Sequence, residues 1–180
     1  WKQPQLFVAL AAASDERMSA MDEKNLSQLY VVSLHFRLEW PDRSFPLSHC
    51  HRRLQSAYQR NEPRPSRLQC DVVAALVRLG WTHVIEHVTA EGLSLDMAQP
   101  ETKRAVEVDG PWHFAKNPAG AFVDNGATRL KSRLLRRLGW DVVRVPFFEW
   151  DRLETPAAQD AYLRRKLQWS SSCSLTVDSD

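Results

Sequence analysis

Arg104-Ala-Val-Glu-Val-Asp-Gly-Pro-Trp-His-Phe114 is the stretch whose reading decides the fold. Ala105 to Val108 is short, apolar and β-branched, the pattern of a buried strand. Glu107 and Asp109 stand two apart, so an extended backbone sends both carboxylates to the same face. Gly110-Pro111 stops the strand, and Trp112, His113 and Phe114 follow at once. Two acids on one face of a buried strand are costly unless something positive sits opposite. A metal, a basic side chain or a hydrogen-bond network would each serve.

Toward the N-terminus, Ser66-Arg-Leu-Gln69 has the capping-box pattern and opens a helix with Leu68, Val72, Leu76 and Leu79 on one face. Gly80 is its natural stop. Trp81 to Val88 reads as a strand, Ala90-Glu91-Gly92 as a turn, and Leu93 to Ala98 as the hairpin partner, with Asp96 inside it. Gln99-Pro100-Glu101 turns the chain into the central strand. Beyond Gly110 a loop is expected as far as Gly126. Thr128 then opens an amphipathic helix, with Leu130, Leu134 and Leu138, helped by Leu135, as its buried stripe. Arg129, Lys131, Arg133, Arg136 and Arg137 are expected on its exposed surface. Gly139 ends the helix, and Asp141 to Val145 is the last strand, carrying Arg144. Phe147, Phe148 and Trp150 read as core, and a final helix is expected from Pro156 to Trp169. The order predicts an α+β fold: a small mixed β-sheet flanked by helices, with Asp96 and Glu107 on neighbouring strands.

The residues before this block read differently. Gln5–Ala13 is a plausible short helix, Asp22 caps a second one reaching Phe36 or Leu38, and Ser48 a third. Asn61-Glu-Pro-Arg-Pro65 is a stiff connector. The expected organisation is therefore an α-helical segment over 1–62, a sheet-containing domain over 63–169, and a Ser-rich, acidic tail over 170–180, expected to be disordered. The chain has 180 residues and a net charge of +2, but its cations are clustered. Three cysteines without close spacing argue for a reducing compartment and against a disulfide framework or zinc ribbon. His49-Cys50-His51 has no zinc-knuckle partner and reads as no metal site. No apolar run approaches membrane-spanning length, so no membrane partner is expected. Opening on Trp1 without a signal-peptide pattern, the sequence reads as the C-terminal portion of a longer chain.

Three stretches together resemble a known family: Glu107-Val-Asp-Gly-Pro-Trp-His-Phe114, Gly126-Ala-Thr-Arg-Leu-Lys-Ser-Arg-Leu-Leu135, and Leu138-Gly-Trp-Asp-Val-Val-Arg-Val-Pro-Phe-Phe-Glu-Trp150. They look like the RAP domain, an RNA-binding domain of organellar proteins, over roughly Ser66 to Leu167. That domain is similar in turn to the PD-(D/E)XK, restriction-endonuclease-like fold, especially its very-short-patch-repair branch. In green algae such domains often close octotricopeptide-repeat proteins, and Leu26-Ser-Gln-Leu-Tyr30 resembles the helices preceding the domain there. The resemblance implies a place in the mitochondrial matrix or chloroplast stroma. The implied work is transcript maturation, stability, splicing or translation, or service as a ribosome or ribonucleoprotein component.

It also frames a choice between holding RNA and cutting it. In the nuclease fold an Asp and a Glu from adjacent strands bind a hard divalent cation. Asp96 and Glu107 match those acids. Asp109 stands where the family has a lysine, a departure shared with short-patch-repair-like relatives. If the site is active, Asp96, Glu107 and Asp109 would hold Mg²⁺ and His113 would act as general base. Otherwise no cofactor is expected. The binding reading uses Arg129, Lys131, Arg133, Arg136, Arg137 and Arg144 on phosphates, with Trp112 and His113 stacking on unpaired bases. The expected partner is an organellar transcript or ribosomal RNA, or ribosomal and ribonucleoprotein subunits around it. Binding, rather than catalysis, is the expected function.

Overall fold

A computed structural model of the chain describes residues 4–15, 17–59 and 65–172, with side chains as far as Leu167. The chain divides into two compact units, residues 1–63 with 90–92, and 64–89 with 93–180.

The first unit is helical. Helix α1 spans Pro4–Asp15, α2 Glu23–Glu39 and α3 His51–Gln59. Asp22 caps α2, accepting the Asn25 backbone N–H at 2.8 Å. Leu26, Tyr30, Leu34 and Phe36 are buried from α2, together with Phe45, Leu47 and Leu54. Ser48 does not cap α3; Ser48–Cys50 is a single 3₁₀ turn, and the α-helix starts after it.

The second unit is α+β. Helix α4 (Arg67–Arg78) is capped by Ser66, whose hydroxyl accepts the Gln69 N–H. Strands β1 (Val84–Val88), β2 (Ser94–Gln99) and β3 (Arg104–Asp109) follow. A small hairpin of β4 (Phe114–Lys116) and β5 (Phe122–Asp124) comes next. Helix α5 (Gly126–Arg137), strand β6 (Asp141–Pro146), the single turn α6 (Phe147–Trp150) and helix α7 (Pro156–Ser172) complete the unit. The main sheet has the order β1-β2-β3-β6; the first three strands are antiparallel and β6 runs parallel to β3. A parallel pair needs a crossover, and α5 supplies it.

Alternation along β3 divides the sheet chemically. Val106 and Val108 join Met97, Val143 and Val145 on one face, packed against Val72, Ala75 and Leu76 of α4 and Tyr162 and Leu163 of α7. Glu107 and Asp109 face the other way, toward α5.

Four expectations need correction. The stretch from Gly110 to Gly126 is not all loop, because it contains the β4–β5 hairpin. Each strand has only three residues, too few for alternation to register, and the turn depends on Asn117, whose side chain accepts the Ala121 N–H at 2.9 Å. Helix α5 starts at Gly126 rather than Thr128, since Asn125 is its cap and accepts the Thr128 N–H at 2.9 Å. Its fully buried residues are Thr128, Leu134 and Leu135, while Leu130 and Leu138 are half-buried. At the far end Gly139 takes φ +82° and Trp140 N–H reaches back to Leu135 O, the glycine stop expected from sequence. Helix α7 continues through Ser172, so the expected tail starts inside a helix; residues 173–180, like all of the connector Asn61–Pro65 except Pro65, lie outside the described residues.

Candidate functional site

The polar face of the sheet, roofed by α5, holds a linked set of charges. Asp96 and Glu107 stitch β2 to β3. Glu107 Oε1 accepts the Asp96 N–H at 3.2 Å, and Asp96 Oδ2 accepts the Val108 N–H at 2.7 Å. Carboxylates thus continue the strand pairing beyond Met97–Val106. Glu107 is 6% exposed. Lys131 Nζ donates to its Oε2 at 2.5 Å. Burial drives the Glu107 carboxyl up to about 7 despite the Lys131 ammonium and the hydrogen bonds that oppose it. Burial also raises Asp96, against the opposing Val108 N–H bond and Lys131 charge.

Asp109 behaves oppositely. It is 2% exposed, and burial alone would raise it. Instead His113 Nδ1 at 3.0 Å and Arg144 Nε at 2.6 Å outweigh that cost and hold the carboxyl below its usual range. The hydrogen bond to Asp109 raises His113 in return. Arg144 reaches further: Nη1 donates to Asp124 Oδ2 at 2.5 Å, and the guanidinium lies 5.7 Å from the Phe114 ring centre. Its Nη2 is buried and has no hydrogen-bond partner.

Two of the expected phosphate-binding cations are therefore turned inward. Lys131 does not stand on the exposed surface of α5. It lies three and four residues before the buried Leu134 and Leu135, on the same helix face, and answers Glu107. That spacing, which puts Lys131 on the inward face of the helix, was readable in the sequence; its pairing with Glu107 was not. Arg144 is engaged by two carboxylates. By contrast Arg129, Arg136 and Arg137 are exposed and Arg133 half-exposed. Trp112, on the 3₁₀ turn Pro111–His113, is 91% exposed.

Asn125 was missed as a site residue, although Asn just before an amphipathic run is a cap signature. Besides capping α5, its Nδ2 donates to Trp112 O at 2.7 Å and its backbone N–H to His113 O at 3.0 Å. One residue thereby fixes the tryptophan turn to the N-terminus of the arginine helix. Asp124 was also missed; nothing local in the sequence marks it as an arginine partner.

Glu107, Asp109, His113, Thr128, Lys131, Ser132 and Arg144 line a pocket of about 20 Å³. That is room for a water-sized body, not a nucleobase. A magnesium ion would need several free oxygen ligands in near-octahedral array. Both oxygens of Glu107 and both of Asp109 already accept hydrogen bonds or ion pairs. Asp96, Glu107 and Asp109 do not bring their oxygens together as a three-ligand group. As placed, these residues do not fit the ion. Among the described residues the group that does converge is Asp15, His49 and Cys50 in the helical unit. There His49 Nε2 faces Asp15 Oδ1 at 3.3 Å, a contact that an exposed ion pair accounts for. No helix among the described residues is long and apolar enough to cross a membrane.

Comparison with known proteins agrees with the resemblance read from the motifs. The family model of the RAP domain matches residues 106–166, from the acid-bearing strand β3 through most of α7. A RAP domain-containing protein of Oryza sativa subsp. japonica, described as chloroplastic, is 30% identical over 150 residues, which are 79% of this chain and 22% of that protein. The chain thus spans about a fifth of the length of this relative.

Proposed function

Because the chain contains a RAP domain, we propose that it works as an RNA-binding module of an organellar protein. The observation that carries this reading is the division of labour on α5. Its inward cation, Lys131, donates to Glu107, while Arg129, Arg133, Arg136 and Arg137 occupy positions that open to solvent. Cations that face solvent can neutralise phosphates and release their counterions. Trp112, 91% exposed on a turn fixed to the helix start, adds a ring for an unpaired base. His113, whose pKa the hydrogen bond to Asp109 raises, lines the pocket beside them.

The chloroplastic relative supports an organellar setting, chloroplast stroma or mitochondrial matrix. Within it the module acts on a transcript or within a ribonucleoprotein. Cleavage is the less favoured alternative, because the acids that would hold a metal spend their oxygens bracing strands and pairing with Lys131, His113 and Arg144.

Binding of the purified chain to labelled single-stranded RNA across a salt series tests this. Each phosphate contact on a single strand contributes about 0.7 to the log–log salt slope, so replacing the four outward arginines by glutamine flattens it by up to about 3. An unchanged slope refutes the assignment. Incubation with Mg²⁺ or Mn²⁺ tests the alternative: metal-dependent cleavage lost in Asp96→Ala plus Glu107→Ala would make the chain a nuclease.

A further inference from the structure

A pocket of water size leaves the bases of a bound strand to be met elsewhere, and one surface beside the site has the chemistry for it. Phe114 and Phe122, from the β4–β5 hairpin, meet Phe147 and Phe148 of α6 in one cluster. Their ring centres lie between 4.9 and 6.1 Å apart. Sequence reading placed Phe147 and Phe148 in the core, but only Trp150 of that run is buried, at 4%. Phe147, Phe148 and Phe114 are half-buried and Phe122 is 39% exposed. Half-exposed aromatic rings are an odd way to end a core, since they leave area in water that burial would remove.

We propose that this four-phenylalanine surface is a stacking platform for unpaired bases of RNA. The inference rests on the RNA-binding reading and says where the bases go. Phe122 and Phe148 are already parallel, 5° apart and 4.9 Å between centres, so the outer ring presents a face supported from beneath. Lys116 Nζ lies over the Phe122 ring, 5.5 Å from its centre, and supplies a cation at the platform; the Arg144 guanidinium lies over Phe114 at 5.7 Å, its charge met by Asp109 and Asp124. The nearby acid, Asp124, is already neutralised by Arg144. Clustered aromatic rings with a flexible lysine over one of them suit a base and its phosphate, the ammonium shifting from ring to phosphate as the base stacks. The location suits them as well. Strand β5, which carries Phe122, runs directly into Asn125 and the arginine helix, so bases on the rings leave their backbone beside the cations of α5. Trp112 precedes Phe114 by two residues on the same segment.

The test uses the full chain, a fluorescein-labelled single-stranded RNA of mixed sequence, and an abasic oligomer of equal length. Phe122→Leu plus Phe148→Leu keeps apolar volume and removes the ring faces; thermal unfolding confirms that the variant folds. Stacking on aromatic side chains predicts at least about fivefold weaker RNA binding in the double variant. The salt slope stays unchanged, and wild-type binding of the abasic strand is weakened to match. Equal RNA affinity in wild type and the leucine variant overturns the platform and leaves the surface to a protein partner. Equal wild-type affinity for normal and abasic strands overturns it too. Failure of the wild type to bind RNA at all overturns the RNA-binding reading on which the platform stands.

Discussion

Glu107→Gln is the perturbation that interrogates the site most directly. Glutamine keeps the shape of the side chain and can still accept from the Asp96 N–H, but it cannot ionise. In the folded chain Glu107 titrates at about 7, against an ordinary value of 4.5, because burial penalises its charge more than Lys131 rewards it. Between those two pH values the folded state keeps a proton that the unfolded chain has released. Stability therefore falls as pH rises through that window, which runs from 4.5 to about 7. One pKa unit corresponds to about 1.4 kcal/mol, so the Glu107 contribution falls by about 3 kcal/mol across the window. The glutamine variant lacks this slope. Urea unfolding of both proteins from pH 4 to 8.5 should show wild type losing about 3 kcal/mol relative to the variant as pH rises. A difference that stays flat, or one that grows in favour of wild type, would show that Lys131 keeps Glu107 ionised throughout. The burial argument would then be wrong, and Lys131–Glu107 would be an ordinary buried ion pair.

Asp109→Asn should cost about 3 kcal/mol at neutral pH, the low end for breaking a buried pair, because Arg144 retains Asp124. Since the Asp109 carboxyl lies below its usual range when folded, wild type should lose that advantage only as pH falls below about 4, through its depressed pKa. Urea unfolding across acid pH checks both parts. Asn125→Ala removes the α5 cap and the Trp112 anchor, with an expected loss of about 1 kcal/mol for the cap alone, read by thermal unfolding. Trp112→Ala, at a residue 91% exposed, should leave the unfolding midpoint unchanged and weaken single-stranded RNA binding in an anisotropy titration.

The sequence by itself determined the order of the main sheet strands and long helices of the second unit, and with it the α+β fold. Those elements are written in local rules: a Ser66 cap, a Gly80 stop, alternation along Arg104–Asp109, a glycine after the α5 repeat. The same alternation made Glu107 and Asp109 neighbours on one face. The three motifs gave the RAP domain, which the family match to residues 106–166 bears out. What only the tertiary structure decided was who answers those acids. Lys131, Arg144 and His113 come from a helix, a strand and a turn, up to 35 residues from the acids they meet, and Asp124 of the hairpin shares Arg144. Ion pairs of that kind depend on which helix face lands on which strand, and no local period encodes it. The β4–β5 hairpin and its phenylalanine cluster were hidden for a related reason. Three-residue strands carry too little periodicity to be read, and whether a Phe-Phe pair is core or surface depends on what the fold lays over it.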